Sequence, residues 1–298
     1  MDLHQLKVFH TAVKAGGFTL ASRKLHLSQS TISQHIKQLE EELGCPLFMR
    51  IGKQVLPTEA GQLLREHCER IFQDVKNAEM SIQELTGLRK GKVRFGTGAT
   101  TLIYQLPPVL EAYQARYPEV ELIVVSDISE VLRQEVQAHR LDLGLVMLPV
   151  EETNLQVEPL CAEELCVALP ARHPLAQKRA LQICDLSQLR FILYERKTVM
   201  RQLIDNFFAE VGIQPRVAMV MENIEAIKSL IGAGLGASVL PMHAVGNEAA
   251  DKKVRLMRVE KKRLHRQLSL ITLKSSYTPN AVRELGKLIL AELGTKRN

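Results

Sequence analysis

From residue 93 onward, short apolar runs alternate with amphipathic stretches, and that rhythm narrows what the larger part of this chain can fold into. The runs fall at 93–95, 122–125, 143–148, 165–169, 191–193, 217–221, 237–240 and 268–273. Strands separated by helices build βαβ units, so parallel-sheet α/β lobes are predicted. In such sheets a ligand settles beyond the carboxyl ends of the strands, where helix N-termini present unpaired N–H groups. That rule nominates Gly98, Ala99, Thr100 and Thr101 after the first run, 126–129 with Ser129 after the second, and Met147 and Leu148 after the third. Gly96-x-Gly98 and Gly232-x-Gly234-x-Gly236 lack full nucleotide-loop spacing; helix–strand turns account for them, and no cofactor is expected.

The chain has 298 residues, beyond the roughly 100–200 that one core usually organises, so several domains are expected. Apolar residues at 46% with aromatics at only 4% suit aliphatic helical and α/β cores rather than a β-sandwich. The net charge of +6 fits an anionic partner without requiring one. The first residues lack the basic and apolar regions of a secretory signal, and no stretch is long enough to span a bilayer. A cytoplasmic protein without membrane contact is therefore expected. Cys45, Cys68, Cys161, Cys166 and Cys184 contain no CxxC pair and no Cys/His cluster, so neither a disulfide framework nor a metal site is expected. A redox switch between Cys166 and Cys184 stays open, since it depends on exposure and thiol pKa. No Ser/His/Asp set or acid pair stands at useful spacing, so no catalytic residue is nominated and the chain is read as a non-enzyme.

The N-terminal segment has a different periodicity. Leu3, Leu6, Phe9 and Val13 recur at helical spacing before Gly16-Gly17 ends the helix. A short second helix is expected with Thr19 as N-cap and Leu20, Ala21 and Leu25 buried. Ser28 then caps a third helix, whose Ile32, Ile36, Leu39 and Leu43 form a core stripe. Its opposite face carries Gln29, Ser30, Thr31, Ser33, Gln34 and Lys37, amides and hydroxyls able to hydrogen-bond base edges plus a cation for phosphate. A merely solvated face would more often carry Glu/Lys pairs at four-residue spacing. Segments 46–50 and 52–56 read as two short strands about a glycine-containing turn, a wing placing Arg50 and Lys53 over a phosphate backbone.

These features converge on a known pattern: Leu6-x-x-Phe9, Gly17-Phe18-Thr19-x-Ala21, Leu25-x-x-Ser28-Gln29-x-x-x-Ser33, Ile36-x-x-Leu39-Glu40, Leu43-Gly44, Leu47-Phe48-x-Arg50 and Pro57-Thr58-x-Ala60-Gly61. Residues 1–65 thereby resemble the DNA-binding domain of LysR-type transcriptional regulators. Ser22 departs from that pattern where a second Ala is common, as does Ser30 where Pro is common.

After Thr58, a heptad-like seam runs through Leu64, Cys68, Ile71, Val75, Ala78, Ile82 and Leu85, with charged residues elsewhere around the helix. Such a stripe packs either on a partner helix or within its own subunit. The resemblance favours the pairing helix of a homodimer or dimer of dimers, which would set two recognition helices on an interrupted inverted repeat of double-stranded DNA. It also implies contact with RNA polymerase.

The later region resembles the effector domain of the same family, itself similar to periplasmic solute-binding proteins, through Leu106-Pro107, Tyr117-Pro118-x-Val120, Leu141-Asp142-Leu143 and the stretch from Gly232 to Pro241. The implied architecture is a winged helix-turn-helix at 1–58, a linker helix at 59–87, a hinge at 88–91, one effector lobe at 92–163 with 267–298, and a second at 164–266. Carried over, Thr100 and Ser129 touch a small-molecule effector at helix starts, faced by Tyr194 and Asn223 from the second lobe. Simple N-capping serves equally for Thr100, Ser129 and Asn223, and a core-edge role for Tyr194. Arg196, Lys197 and Arg201 hint at an anionic effector, although surface placement explains them as well. The basic stretch from Lys252 to Arg266 reads as a solvated face, with contact to bent DNA as the alternative. A solute-binding protein without DNA function is the rival reading, which the N-terminal segment opposes.

Overall fold

A computed structural model describes residues 1–51, 54–85, 91–149, 153–245, 253–274 and 278–294. The chain divides into two units, Met1–Thr86 and Gly87–Asn298.

In the first unit, α1 (Leu3–Ala15), α2 (Phe18–Leu25) and α3 (Gln29–Leu43) precede a hairpin of β1 (Phe48–Ile51) and β2 (Gln54–Pro57), then the 27-residue α4 (Glu59–Leu85). Asp2 and Gln5 close a reciprocal capping box on α1, and Gly16 ends the helix at φ 72°, a left-handed conformation costly for residues with a Cβ. Leu6, Val8, Phe9, Ile32, Ile36, Leu39, Leu47 and Cys68 form one core. Each large side chain buried there contributes about 1.5–3 kcal/mol of apolar transfer.

Three expected core leucines are instead exposed: Leu3 (53%), Leu20 (49%) and Leu43 (40%). Leu3 and Leu43 occupy the terminal turns of their helices. In the eight-residue α2 the fully buried contact is Ala21. Thr19 is not the cap of α2: Gly17 is, and the Thr19 hydroxyl instead donates to Gln29 Oε1 at 3.3 Å.

The seam of α4 is also divided. Thr58 Oγ1 accepts the Gly61 N–H at 3.0 Å and donates to the Pro46 carbonyl at 2.7 Å, capping the helix and fastening it to the segment before the hairpin. Leu64, Cys68 and Ile71 then pack into the unit's own core, whereas Val75, Ala78 and Ile82 are exposed. The side chain of Leu85 lies outside the described residues, as does residue 53.

The second unit contains β3 (Gly91–Thr97), α5 (Ala99–Tyr104), α6 (Pro107–Arg116), β4 (Val120–Ser126), α7 (Ser129–Gln137), β5 (Leu143–Met147) and β6 (Leu155–Pro170). It continues with α8 (Ile183–Leu186), β7 (Arg190–Leu193), α9 (Val199–Glu210), β8 (Arg216–Val220), α10 (Ile224–Gly232), β9 (Ser238–Pro241), β10 (Val254–Met257), β11 (Leu264–Leu273) and α11 (Asn280–Gly294). The main sheet runs β10-β6-β11-β5-β3-β4, with β9 also on β6. A two-stranded sheet joins β7 to β8.

The main sheet is mixed rather than wholly parallel. β3 pairs parallel with β4 and β5, and β7 with β8, while β11, β6, β9 and β10 pair antiparallel. The cause is β6, whose 16 residues serve two cores: Leu160 and Cys161 belong to one, Leu165 and Val167 to Leu169 to the other. β11 runs antiparallel beside it, and the register shifts at Leu268/Ser269, where Cys161 and Pro159 are successive partners and Leu160 is the extra residue. Only the second half of β6 was readable as an apolar run, because Glu158, Pro159, Glu163 and Glu164 interrupt the first.

Candidate functional site

The outer face of α3 is built by its N-terminus. Ser28 Oγ accepts the Thr31 N–H at 3.1 Å and lies 2.7 Å from Ser30 Oγ and 2.8 Å from Thr31 Oγ1. Gln29, Ser30, Gln34 and Lys37 are exposed, while Thr31 and Ser33 are half-buried. Burial of Ile32, Ile36 and Leu39 fixes which way these groups point. Lys37 pairs with Glu41 at 3.5 Å one turn on, an exposed contact of small energetic weight. Arg50 sits on β1, its side chain outside the described residues. One role here was missed: Glu40, named only within the family pattern, accepts the backbone N–H groups of Leu47 at 2.7 Å and Phe48 at 3.2 Å. It ties the recognition helix to the hairpin.

In the second unit a cleft of about 390 Å³ is lined by Gly98, Thr100, Thr101, Ser129, Met147, Tyr194 and Asn223 together. These seven sequence-nominated residues therefore share one cavity, with the N-terminal ends of α5, α7, α9 and α10 around it, whereas Leu148, nominated beside Met147, does not line it. Capping explains Asn223, whose Oδ1 accepts the Glu225 and Ala226 N–H groups at 2.8 and 3.0 Å. It does not explain Thr100 or Ser129: Gly98 and Ile128 are the N-caps of α5 and α7 and make no side-chain cap. Ser129 Oγ instead accepts the Met147 N–H at 3.0 Å, joining α7 to β5. Burial of Tyr194 pushes its hydroxyl pKa well up, so it stays a neutral hydrogen-bonding group.

The cations expected near the cleft are spent elsewhere. Arg201 is buried, donating from Nη1 to the Tyr194 carbonyl and from Nε to Asp205, both at 2.8 Å. Lys197 pairs with Glu195 at 3.0 Å and Glu222 at 3.4 Å, and Arg196 is exposed. The guanidinium that does line the cleft is Arg266. Sequence reading assigned it to a solvated basic stretch, yet it is only 6% exposed and its Nε donates to the buried carboxylate of Glu163. Its position on β11, flanked by apolar residues from 268 on, was the one available signal. Elsewhere in that stretch Arg258 pairs with Glu164 at 2.7 Å and Lys262 with Glu210, as expected of a solvated face; residue 252 lies outside the described residues. Gln105 Nε2 also donates to Glu163.

The redox pairing of Cys166 with Cys184 is disfavoured. Cys184 is exposed, but Cys166 is buried, and burial pushes its thiol up to about 11, away from the reactive thiolate. Among the described residues no helix is long and apolar enough to cross a membrane.

Two family models match in succession: the bacterial regulatory helix-turn-helix of the lysR family over residues 3–62, and the LysR substrate binding domain over residues 86–294. The chain is a LysR-type transcriptional regulator. The RuBisCO operon transcriptional regulator of Allochromatium vinosum is 31% identical over 292 residues, covering 98% of this LysR chain and 96% of that protein. Full-length CbnR, crystallised with its target DNA, shares the fold at TM-score 0.71 and 21% identity, covering 98% of this chain and all of that one. The regulatory domain of Synechocystis PCC6803 CcmR, solved in complex with 2-PG, matches at TM-score 0.64 and 25% identity over 70% of this chain and 100% of its own. This LysR regulator accordingly combines a winged helix-turn-helix with a periplasmic-binding-protein-like effector domain, and it couples DNA binding to a small-molecule effector.

Proposed function

We propose that Gln29, Ser30, Thr31, Ser33, Gln34 and Lys37 on α3 read an interrupted inverted repeat, with Arg50 and Lys53 holding the flanking phosphates. The effector occupies the cleft bounded by Gly98, Thr100, Thr101, Ser129, Met147, Tyr194 and Asn223. One observation carries this reading: those seven residues line a single cavity. In this reading the chain divides into 1–58, 59–87, 88–91, 92–163 with 267–298, and 164–266, with the cleft between the two effector lobes. The exposed Val75, Ala78 and Ile82 on α4 are the surface by which two copies pair, as a homodimer or a dimer of dimers. RNA polymerase is the further partner, and the cytoplasm is where the protein acts. The 2-PG complex of CcmR supports a small effector in this class of domain.

The effector acts only if it binds one arrangement of the lobes more tightly than the other. The test is recovery of genomic DNA on the purified full-length protein, footprinting of the strongest site, and repetition with Thr100→Trp, which fills the cleft. Protection of an inverted repeat that changes with the small-molecule fraction of a cell extract, and stops changing in the variant, is the expected result. An unchanged response in the variant would remove the effector from this cleft.

A further inference from the structure

Arg266 is ion-paired with Glu163, yet part of its guanidinium finds no strong acceptor among the described residues. Glu163 accepts from Nε, and the closest partner of Nη1 is the Met147 sulfur at 4.0 Å, a weak acceptor. Nη2 is buried without a hydrogen-bond partner among the described residues. A buried donor left unpaired is costly, the more so when charged, so a site that tolerates one beside a cavity is shaped for an acceptor from outside.

We propose that Arg266 anchors an anion subsite in the cleft, and that the effector is a small hydroxylated molecule bearing a single oxyanion, carboxylate or phosphate. This rests on reading the cleft as the effector site. Planar oxyanions match the guanidinium edge, and charge-assisted bonds to it are the strong ones. The helix ends reinforce the preference: α7, α9 and α10, of nine, twelve and nine residues, each begin at the cavity wall and add partial positive charge there.

The rest of the wall sets the limit of one anionic group. Asp127 and Glu222 also line the cleft. Asp127 accepts the Ile128 N–H at 2.7 Å, and Glu222 faces Lys197 at 3.4 Å. Neither can be the counter-ion of an effector, and both repel a second negative group. Thr100, Ser126 and Asn223 offer hydroxyl and amide partners instead, which suit alcohol groups on the effector's remaining atoms. A cavity of about 390 Å³ stands at the small end of ligand sites. Through Glu163 the subsite is joined to Gln105, the residue following α5, so filling it bears on the helix whose first turn holds Thr100 and Thr101.

The experiment is calorimetric titration of the full-length protein with glycerate, glycerol 3-phosphate and glycerol at up to millimolar concentrations. Binding of at least one anion, with no binding of glycerol, is expected; which anion wins separates a carboxylate from a phosphate effector. The Glu163→Gln/Arg266→Gln double variant, which leaves no lone buried charge, should weaken that anion about 10- to 100-fold. Should the double variant not fold by circular dichroism, Arg266→Lys serves, keeping the charge and losing the planar edge, with a smaller loss expected. Equal binding of glycerol, failure of both anions to bind, or undiminished anion affinity in the folded variants overturns the proposal. A cell-extract response in the DNA assay that Thr100→Trp abolishes would then keep the cleft as effector site while the anion subsite falls; a response indifferent to Thr100→Trp would remove both.

Discussion

Glu40 Oε1 receives the backbone N–H of Leu47 at 2.7 Å, so a side chain in the last turn of α3 fixes where the hairpin begins. Charge-assisted bonds of this kind exceed neutral ones, and Phe48 N–H shares the same oxygen. Replacing Glu40 by Ala should cost about 1–3 kcal/mol in urea unfolding of the protein. Glu40→Gln, which keeps an acceptor, should lose less. Because the hairpin carries Arg50, the Ala variant should also lower the salt dependence of DNA binding.

Gly61 has a steric reason for being glycine. A Cβ built there would lie 2.1 Å from the Leu47 carbonyl oxygen and 3.2 Å from Pro57 Cβ. Gly61→Ala should therefore destabilise the first unit by about 1–3 kcal/mol or more, despite the better helix propensity of Ala. Gly98→Ala, with open space around its Cβ, should leave unfolding unchanged. Equal midpoints for wild type and Gly61→Ala would refute the close approach.

Base reading and phosphate binding separate by variant. Gln29→Ala and Ser33→Ala should each relax preference at one base-pair position by about 1–3 kcal/mol in competition binding. Gln29 has a second task, accepting from Thr19, so its loss should also slightly loosen α2 against α3. Lys37→Ala should weaken all sequences alike and reduce the salt slope by about one.

His10 makes the first unit acid-sensitive. Burial holds its pKa below the ordinary histidine value; the nearby Lys14 adds to this, and Glu69, 3.8 Å away, opposes it. A histidine with a depressed folded-state pKa contributes stability present above the unfolded value and lost as pH falls through the folded one. Melting midpoints of the first unit should thus fall below about pH 6.5, and His10→Gln should flatten that decline. An unaltered pH profile in the variant would assign the loss to other groups.

Tyr104 links two cleft-lining helices. Its hydroxyl receives a bond from Lys228 Nζ at 2.5 Å and donates to Glu225, and burial pushes its pKa up to about 12. Tyr104→Phe removes both bonds between α5 and α10 and leaves the buried Lys228 with fewer partners. Effector dose–response in the DNA assay should shift by about 1 kcal/mol, roughly fivefold, without change in effector-free DNA affinity.

Legibility followed periodicity and failed where tertiary contacts decide. The stripe Ile32, Ile36 and Leu39 and the strand ends at Gly98, Ser129 and Met147 follow local rules, so sequence located them. Leu20 obeys the same spacing, yet a short helix buries only Ala21. Leu64 and Ile82 share one seam and part company because the first packs on its own unit's core. Arg266 was hard to read because, beyond the neighbouring apolar run, its burial depends on Glu163, distant in sequence and on another strand. Glu40 and Glu163 looked like ordinary surface acids for the same reason: the groups they accept from come from other elements.

The place of β11 in the main sheet has a consequence for synthesis on the ribosome. It lies between β6 and β5, so the interior of the first α/β core stays open until the last strand of the chain has emerged. Until then β5 offers an unpaired edge to neighbouring chains, and the nascent protein is exposed to misassembly from the emergence of β5 to that of β11. A frameshift or premature stop shortly before Leu264 would for this reason remove more than a tail. It would leave a molecule with an intact DNA-binding end and no closed sensor, a product suited to rapid degradation.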